Sequence, residues 1–386
     1  MSGNMKRSTH DKLIRLCVTV FFAALFALVI TLANRGWKAG EGVNDGIGTE
    51  YETAFVVDIL EDKTVSDPAI EGRLRGSKLL ELEIRTGRYA GEIVEVPNYF
   101  SAMYSVDVRT GDTVSVRIDT GRDGAFTVSV YNYDRVPLIL GLALVFCLAL
   151  VLIGGWQGLR ALLGLIFTFV CIVWVLIPLV LQGWSPIPLT VAMVGVTCAA
   201  GFYLLGGWQP KTLGALLGAL CGVAAAAILG YLATQLVHIS AYQMDESEGL
   251  LLARNDTGLQ ISGLLLSGIL IAAQGAVMDT SMSIASAMAE LKEKRPDIGF
   301  PELFRSGMAI GRDTTGTMAN TLVLAFAGSS LNMMVLIFSY RVSFLQLMNT
   351  DFIAVEVVRA VAGSLGIIFT VPCVAAITAG LLSRKQ

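Results

Sequence analysis

Two carboxylates stand in stretches of this chain that are otherwise apolar. Asp279 closes an apolar run at 259–279, and Asp313 opens the segment GRDTTGTMANTLVLAFAGSSLN, Gly311 to Asn332. An ionisable group at membrane depth costs about 3 kcal/mol or more on insertion scales, so it faces water, a cavity or a partner. At helical spacing Asp279 shares a face with Gly263, Ser267, Gly275, Ser283 and Ala287. Asp313, Thr317, Thr321, Ala325 and Ser329 form one stripe of the following segment, and Gly316, Asn320, Gly328 and Asn332 the adjacent one. Rows of carboxylate, hydroxyl and amide oxygens suit a cation, a proton or a small polar solute. The candidate pathway or ion-binding residues are therefore Asp279, Ser283, Asp313, Thr317, Asn320, Thr321 and Asn332. The two segments run in opposite directions, so both carboxylates can approach one cytoplasmic-side cavity. Plainer roles stay open: Asp279 meeting water at a helix end, and Asp313 capping the first N–H groups of its helix.

The elements that must position these groups are membrane helices. Of 386 residues 54% are hydrophobic and 15% charged, with a mean hydropathy of +0.66, too apolar for a water-soluble fold of this size. A hydrocarbon core of about 30 Å needs about 20 apolar residues in helix. Such runs fall at 16–33, 136–153, 160–181, 186–205, 212–237, 259–279, 318–340 and 360–382, which predicts a polytopic α-helical membrane protein of about eight spans. The first run follows Lys6, Arg7, Lys12 and Arg15 and reads as an uncleaved anchor, a cleaved signal peptide being the alternative. A cytoplasmic N-terminus puts Arg160, Lys211, Lys292, Lys294, Arg295, Arg305, Arg312, Arg384 and Lys385 on the same side, against Arg254, Arg341 and Arg359 in outer loops. The domains expected are a cytoplasmic tail at 1–15, the anchor, an extracytoplasmic domain at 34–135, a seven-helix membrane domain at 136–382 with a cytoplasmic loop at 290–312, and a cytoplasmic end at 383–386.

The outer domain alternates as half-buried strands do. Tyr51, Thr53, Phe55, Val57 and Ile59 point one way, and Val114, Val116 and Ile118 turn through 120–124 into Phe126, Val128 and Val130, a hairpin. Gly87–Gly91 (GRYAG) and Gly111-Asp112 supply turn chemistry. Short strands in this number suggest a small all-β barrel of OB or SH3 type, which serves either as a binding module or as a cap.

Gly214, Gly218, Gly222, Ala226 and Gly230 recur every four residues, a flat groove for helix packing within the chain or across a dimer. GGWQGLRALLGL at 154–165 and GGWQPKTLGALL at 206–217 form a local repeat, read as cytoplasmic turns with interfacial tryptophans rather than as transporter halves. Pro178 and Pro372 lie inside spans and predict kinks, while Leu303 to Ile310 reads as an amphipathic surface helix. The six cysteines all sit in apolar runs, which predicts packing and no disulfide. A net charge of −3 without a basic surface argues against nucleic acid.

The pair GAVMDTSMSIASAMAELK (275–292) and SGMAIGRDTTGTMANTLVLAFAGSSL (306–331) resembles the bacterial YibE/F membrane-protein family, and the GRYAG turn and GDTV strand start resemble its longer, YibE-like members. Asp279, Ser283, Glu290, Gly311, Arg312, Asp313, Gly316, Asn320 and Thr321 match its distinctive segments. The resemblance implies a bacterial plasma-membrane protein working beside a shorter relative that lacks the β domain, the glycine groove leaving a homo-oligomer as the other assembly, and it carries no established activity. The leading expectation is a transporter or permease for an unidentified small solute or ion. The alternative is a non-transporting scaffold or sensor whose β domain binds a partner. HExxH, GxSxG and P-loop patterns are absent from the sequence, so an enzyme is not expected, with a di-aspartate protease the remaining enzymatic route. No cofactor or metal is implied.

Overall fold

The computed structural model describes residues 26–34, 48–101, 105–121, 124–240, 242 and 247–383, apart from 28, 69 and 71. The anchor expected at 16–33 lies mostly outside these. The chain divides into two compact units, Lys38–Ala149 and Met1–Trp37 with Leu150–Gln386.

The first unit is an antiparallel sheet of β1 (Gly48–Asp62), β2 (Val65–Ser66), β3 (Leu74–Ile84), β4 (Ile93–Phe100), β5 (Thr113–Thr120) and β6 (Phe126–Tyr133). The strands run β2-β3-β1-β5-β6, with β4 also pairing β3. Period-two alternation turns Ala54, Val56, Leu80, Leu82, Ile84, Val96, Val114, Val116 and Ile118 into one buried layer. β1 buries its small Ala54 and presents Tyr51, 55% exposed, on the other face. GRYAG makes the β3–β4 turn, where Gly87 has φ +80° and an added Cβ would strike the Glu52 carboxylate.

The expected barrel does not close. β4 and β6 form no ladder with each other; residues 105–109 pass between them as irregular chain. Side chains hold that segment: Asn98 Nδ2 donates to the Val106 carbonyl at 2.7 Å, and the Tyr133 hydroxyl donates to that of Asp107 at 3.0 Å. Lys78, its side chain 9% exposed, reaches Asp107 Oδ1 at 2.6 Å. Val106 and Val108 thus complete the core without a seventh strand.

Across β1 and β5 the Thr49 hydroxyl donates to Asp119 Oδ1 at 2.7 Å, and with Arg117 at 3.0 Å it holds that carboxyl below the ordinary carboxylate range. A depressed folded-state value contributes stability above the unfolded value near 4, lost as pH falls through the folded value. Thr49→Val is therefore expected to melt below wild type at pH 6, the gap narrowing below about pH 4. Thermal unfolding of the intact chain at the two pH values checks this; a gap constant with pH would assign Thr49 another role.

The second unit is helical. The run Val136–Leu181, whose residues up to Ala149 belong to the first unit, comprises α1 (Val136–Cys171), a π-helical turn (Ile172–Leu176) and α2 (Ile177–Leu181). Gly155, at φ 56° and ψ −135°, breaks it. Past the break Gly158 abuts Leu150, whose carbonyl oxygen lies 2.1 Å from where a Cβ would be, although eight residues of straight helix would separate them by about 12 Å. Pro178 lacks an N–H, and its ring crowds the carbonyl four residues back, that of Trp174. The backbone widens there, the Ile177 N–H donating to Ile172, and the Trp174 carbonyl accepts from Asn34 Nδ2 at 2.9 Å. Gln182 Nε2 donates to the neighbouring Ala33 carbonyl.

There follow α3 (Pro186–Gly206), α4 (Pro210–Leu236), α5 (Ser247–Thr257), α6 (Leu264–Lys294), α7 (Phe300–Ser329), α8 (Leu331–Ser339), α9 (Phe344–Met348) and α10 (Asp351–Ser383). Proline at the start of α3, α4 and α7 fits helix entry, where its missing N–H has no intrahelical partner to lose. α10 continues through Pro372 and packs against α4, α6 and α7. Gly214, Gly218 and Gly222 of α4 lie against Thr378, Val374 and Thr370 of α10, and Gly230 against Leu266 of α6.

Five helices among the described residues are long and apolar enough to cross a membrane, or six if α7 and α8, bent by 58°, form one span. Where eight runs are expected, the described residues thus supply five or six candidate spans. Two expected runs merge into Val136–Leu181, and a third falls mainly outside the described residues. Boundaries also shift: the loop expected at 290–312 contracts to the turn between Lys294 and Phe300, and the surface helix 303–310 is the first part of α7.

Candidate functional site

α6 and α7 meet as an antiparallel pair because each has one face of small and apolar residues. Met288 lies against Gly307 and Ile284 against Gly311. In that register residue 279 is level with residue 316, which places Asp279 three residues, about 4.5 Å of rise, from the level of Asp313. Leu303, Gly307, Gly311 and Leu322 form the buried side of α7.

The opposite side is polar and open. Asp279 and Ser283 on α6 are exposed, as are Asp313, Thr317, Asn320 and Thr321 on α7. The expected α6 stripe divides here: Gly275 stays with Asp279 and Ser283 while Ser267 turns into the core. Asp313 is no N-cap, since α7 begins at Phe300 behind Gly299. Neither Asp279 nor Asp313 has a hydrogen-bond or ion-pair partner among the described residues. The Thr317 and Thr321 hydroxyls donate to the Thr314 and Thr317 carbonyls at 2.9 and 2.8 Å, leaving their oxygens as outward acceptors.

Asn332 belongs elsewhere. The helix breaks after Gly328-Ser329-Ser330, a Gly/Ser cluster of the kind that kinks helices, and the Ser329 hydroxyl takes a turn carbonyl, that of Phe326, at 2.8 Å. Beside the break is a cavity of about 420 Å³ whose lining includes Ser329, Ser330, Asn332, Glu356 and Arg359. Arg359 Nη1 donates to Glu356 Oε1 at 2.7 Å, and its guanidinium lies 5.8 Å from the centre of the Phe326 ring. Ser329 is sixteen residues beyond Asp313, about 24 Å along a helix, so the carboxylate pair lies beside the middle of α7 and this ion pair beside its C-terminal end.

Arg359, expected in an outer loop, lies inside α10. The signal in the sequence for its pairing with Glu356 is Glu-Val-Val-Arg at helical spacing beside an apolar run, a pattern too short to stand out there. Gln274, which carries no sequence signal of its own, is a buried amide whose Nε2 donates to Thr197 Oγ1 at 2.7 Å and ties α6 to α3.

Long apolar helices, the first of them lined by exposed leucine, valine and isoleucine, together with an appended antiparallel sheet, define an integral membrane protein with multiple candidate spans. The profile of one family, described as YibE/F-like protein, matches residues 142–384. The chain belongs to that family; the match covers the helical part and leaves the sheet outside it. No curated protein and no solved structure matches the chain.

Proposed function

We propose that the protein is a transporter or permease for a small solute or ion, with its pathway along the outward polar faces of α6 and α7. The observation that carries this reading is the pair of partnerless carboxylates, Asp279 and Asp313, on the exposed side of helices in the membrane unit. Lipid tails do not solvate such groups, so this side faces water or another protein in the bilayer. The bent α7–α8 pair supports the same reading, because interrupted helices recur where transporters bind solutes. A second copy, or a shorter related subunit without the sheet, closes the polar face.

The topology that goes with this function has eight crossings. Val136–Leu181 crosses twice around Gly155, α7 and α8 together cross once, and the run at 16–33 supplies the first span. Both termini are then cytoplasmic in a bacterial plasma membrane, residues 34–135 lie outside, and Arg160, Lys211, Lys292 and Lys294 face the cytoplasm.

Reconstituted into proteoliposomes under a panel of imposed ion gradients, the wild type is expected to conduct, and Asp279→Asn and Asp313→Asn to lose at least about tenfold in flux, equivalent to about 1.4 kcal/mol. Both side chains are exposed, so the variants keep the wild-type elution profile. Full flux in both variants would remove the carboxylates from the pathway.

A further inference from the structure

The sheet unit holds a cavity of about 380 Å³ where β1, β5 and β6 meet the start of α1. Its two ends differ in chemistry. Toward the sheet it is lined by Glu52, Thr53, Thr86, Ser115 and Asn132; toward the helix by Val136 and Ile139. Tyr51 and Tyr131 form one wall, their rings 4.9 Å apart in an edge-on pair. Asp134 and Arg135 stand at the junction, the guanidinium 5.8 Å from the Tyr133 ring centre.

The position of this cavity relative to the bilayer follows from α1. Its most apolar stretch has no residue buried inside the protein, and Val136, Leu138, Ile139 and Leu140 are each more than half exposed. Lipid tails must cover those side chains. Asp134 and Arg135 therefore mark the water boundary, and a cavity reaching from Glu52 to Ile139 spans the headgroup layer, where tyrosine and arginine are favoured.

We infer that this cavity is a binding site for one zwitterionic, amine-bearing phospholipid of the leaflet on the sheet's side. The lining carries one cation, Arg135, and two carboxylates, Glu52 and Asp134. No ion pair occupies any of the three among the described residues. Arg135 matches the lipid phosphate. Glu52, which already accepts from the Thr86 hydroxyl, and Asp134 match the ammonium group, and the tyrosine faces add cation–π attraction. Val136 and Ile139 meet the beginning of the acyl chains. An anionic headgroup without an amine would face two carboxylates with a single cation to offset them.

Native mass spectrometry of the purified full chain, titrated with phosphatidylethanolamine and separately with phosphatidylglycerol, tests the site. Phosphatidylethanolamine is expected to be retained in preference, and Arg135→Gln and Glu52→Gln each to weaken its retention about tenfold, the usual scale for one charge-assisted contact. Glu52→Gln should leave phosphatidylglycerol retention unchanged. Arg135 is exposed, so its variant folds and keeps the experiment decisive. Wild-type retention of both lipids by both variants overturns the site, and a wild-type preference for phosphatidylglycerol overturns the ligand class. Displacement of the lipid by an equal concentration of free phosphoethanolamine would replace it with a soluble ligand.

Discussion

Gly218→Leu is expected to eliminate folded protein. A Cβ at position 218 would lie 2.2 Å from Val374 Cγ2 and, more seriously, 2.8 and 2.9 Å from the Cα and N of the same residue. A side chain can rotate away; the backbone of α10 cannot move without separating the two helices along their length. The neighbouring Gly222 leaves no slack, since a Cβ there would meet Thr370 Oγ1 at 1.7 Å and the Gly366 carbonyl at 3.0 Å. Overpacking a tight core costs about 1–3 kcal/mol per inserted group, and helices in lipid have no hydrophobic force to restore their contact. Gly316→Leu is the matched control, because nothing lies within 4 Å of a Cβ at that position. Size-exclusion of fluorescently tagged variants should show Gly218→Leu without a monodisperse peak and Gly316→Leu with one. Equal peaks for both would mean that α4 and α10 do not pack through these glycines.

Arg359→Leu comes second in expected effect. The Arg359 and Glu356 side chains are only 22% and 17% exposed, and Glu356 Oε2 is enclosed with no hydrogen-bond partner. Removing the guanidinium leaves a largely enclosed carboxylate without its counter-charge, at a cost of about 3 kcal/mol or more. Removing both charges is far milder, because the desolvation penalty leaves with them. The double variant Glu356→Leu/Arg359→Leu should thus recover most of the stability lost by Arg359→Leu alone, a coupling that a double-mutant cycle of thermal unfolding measures directly. Additive losses would show that the two side chains act separately.

The parts of this fold that were legible in the sequence are those carried by strict periodicity or by runs of one chemistry. The β5–β6 hairpin follows from Val114, Val116 and Ile118 alternating with polar residues, and the GRYAG turn from its glycines. Membrane character follows from apolar runs that no soluble core would need. Helix ends were less legible. Hydropathy marks where lipid begins and not where a helix ends, so α7, with amphipathic early turns and a polar middle, was divided into a surface helix and a span although its hydrogen bonding is continuous. Barrel closure was illegible for another reason: whether β4 meets β6 depends on side chains such as Asn98 and Tyr133 taking over a loop's carbonyls, and strand alternation carries no trace of that. At the candidate site the types and spacings of Asp279, Asp313, Thr317 and Thr321 were readable, whereas their outward direction depends on where α10 packs, a tertiary fact.

Gly155 also bears on how the chain is made. A single non-helical residue separates two strongly apolar helical stretches, so during synthesis the first has no polar tether long enough to rest in the bilayer while the second waits in water. Under the eight-crossing topology, the two stretches leave the insertion machinery together as one hairpin. Arg160, the first basic residue after the turn, then adds to the cytoplasmic excess of Lys and Arg that orients the chain.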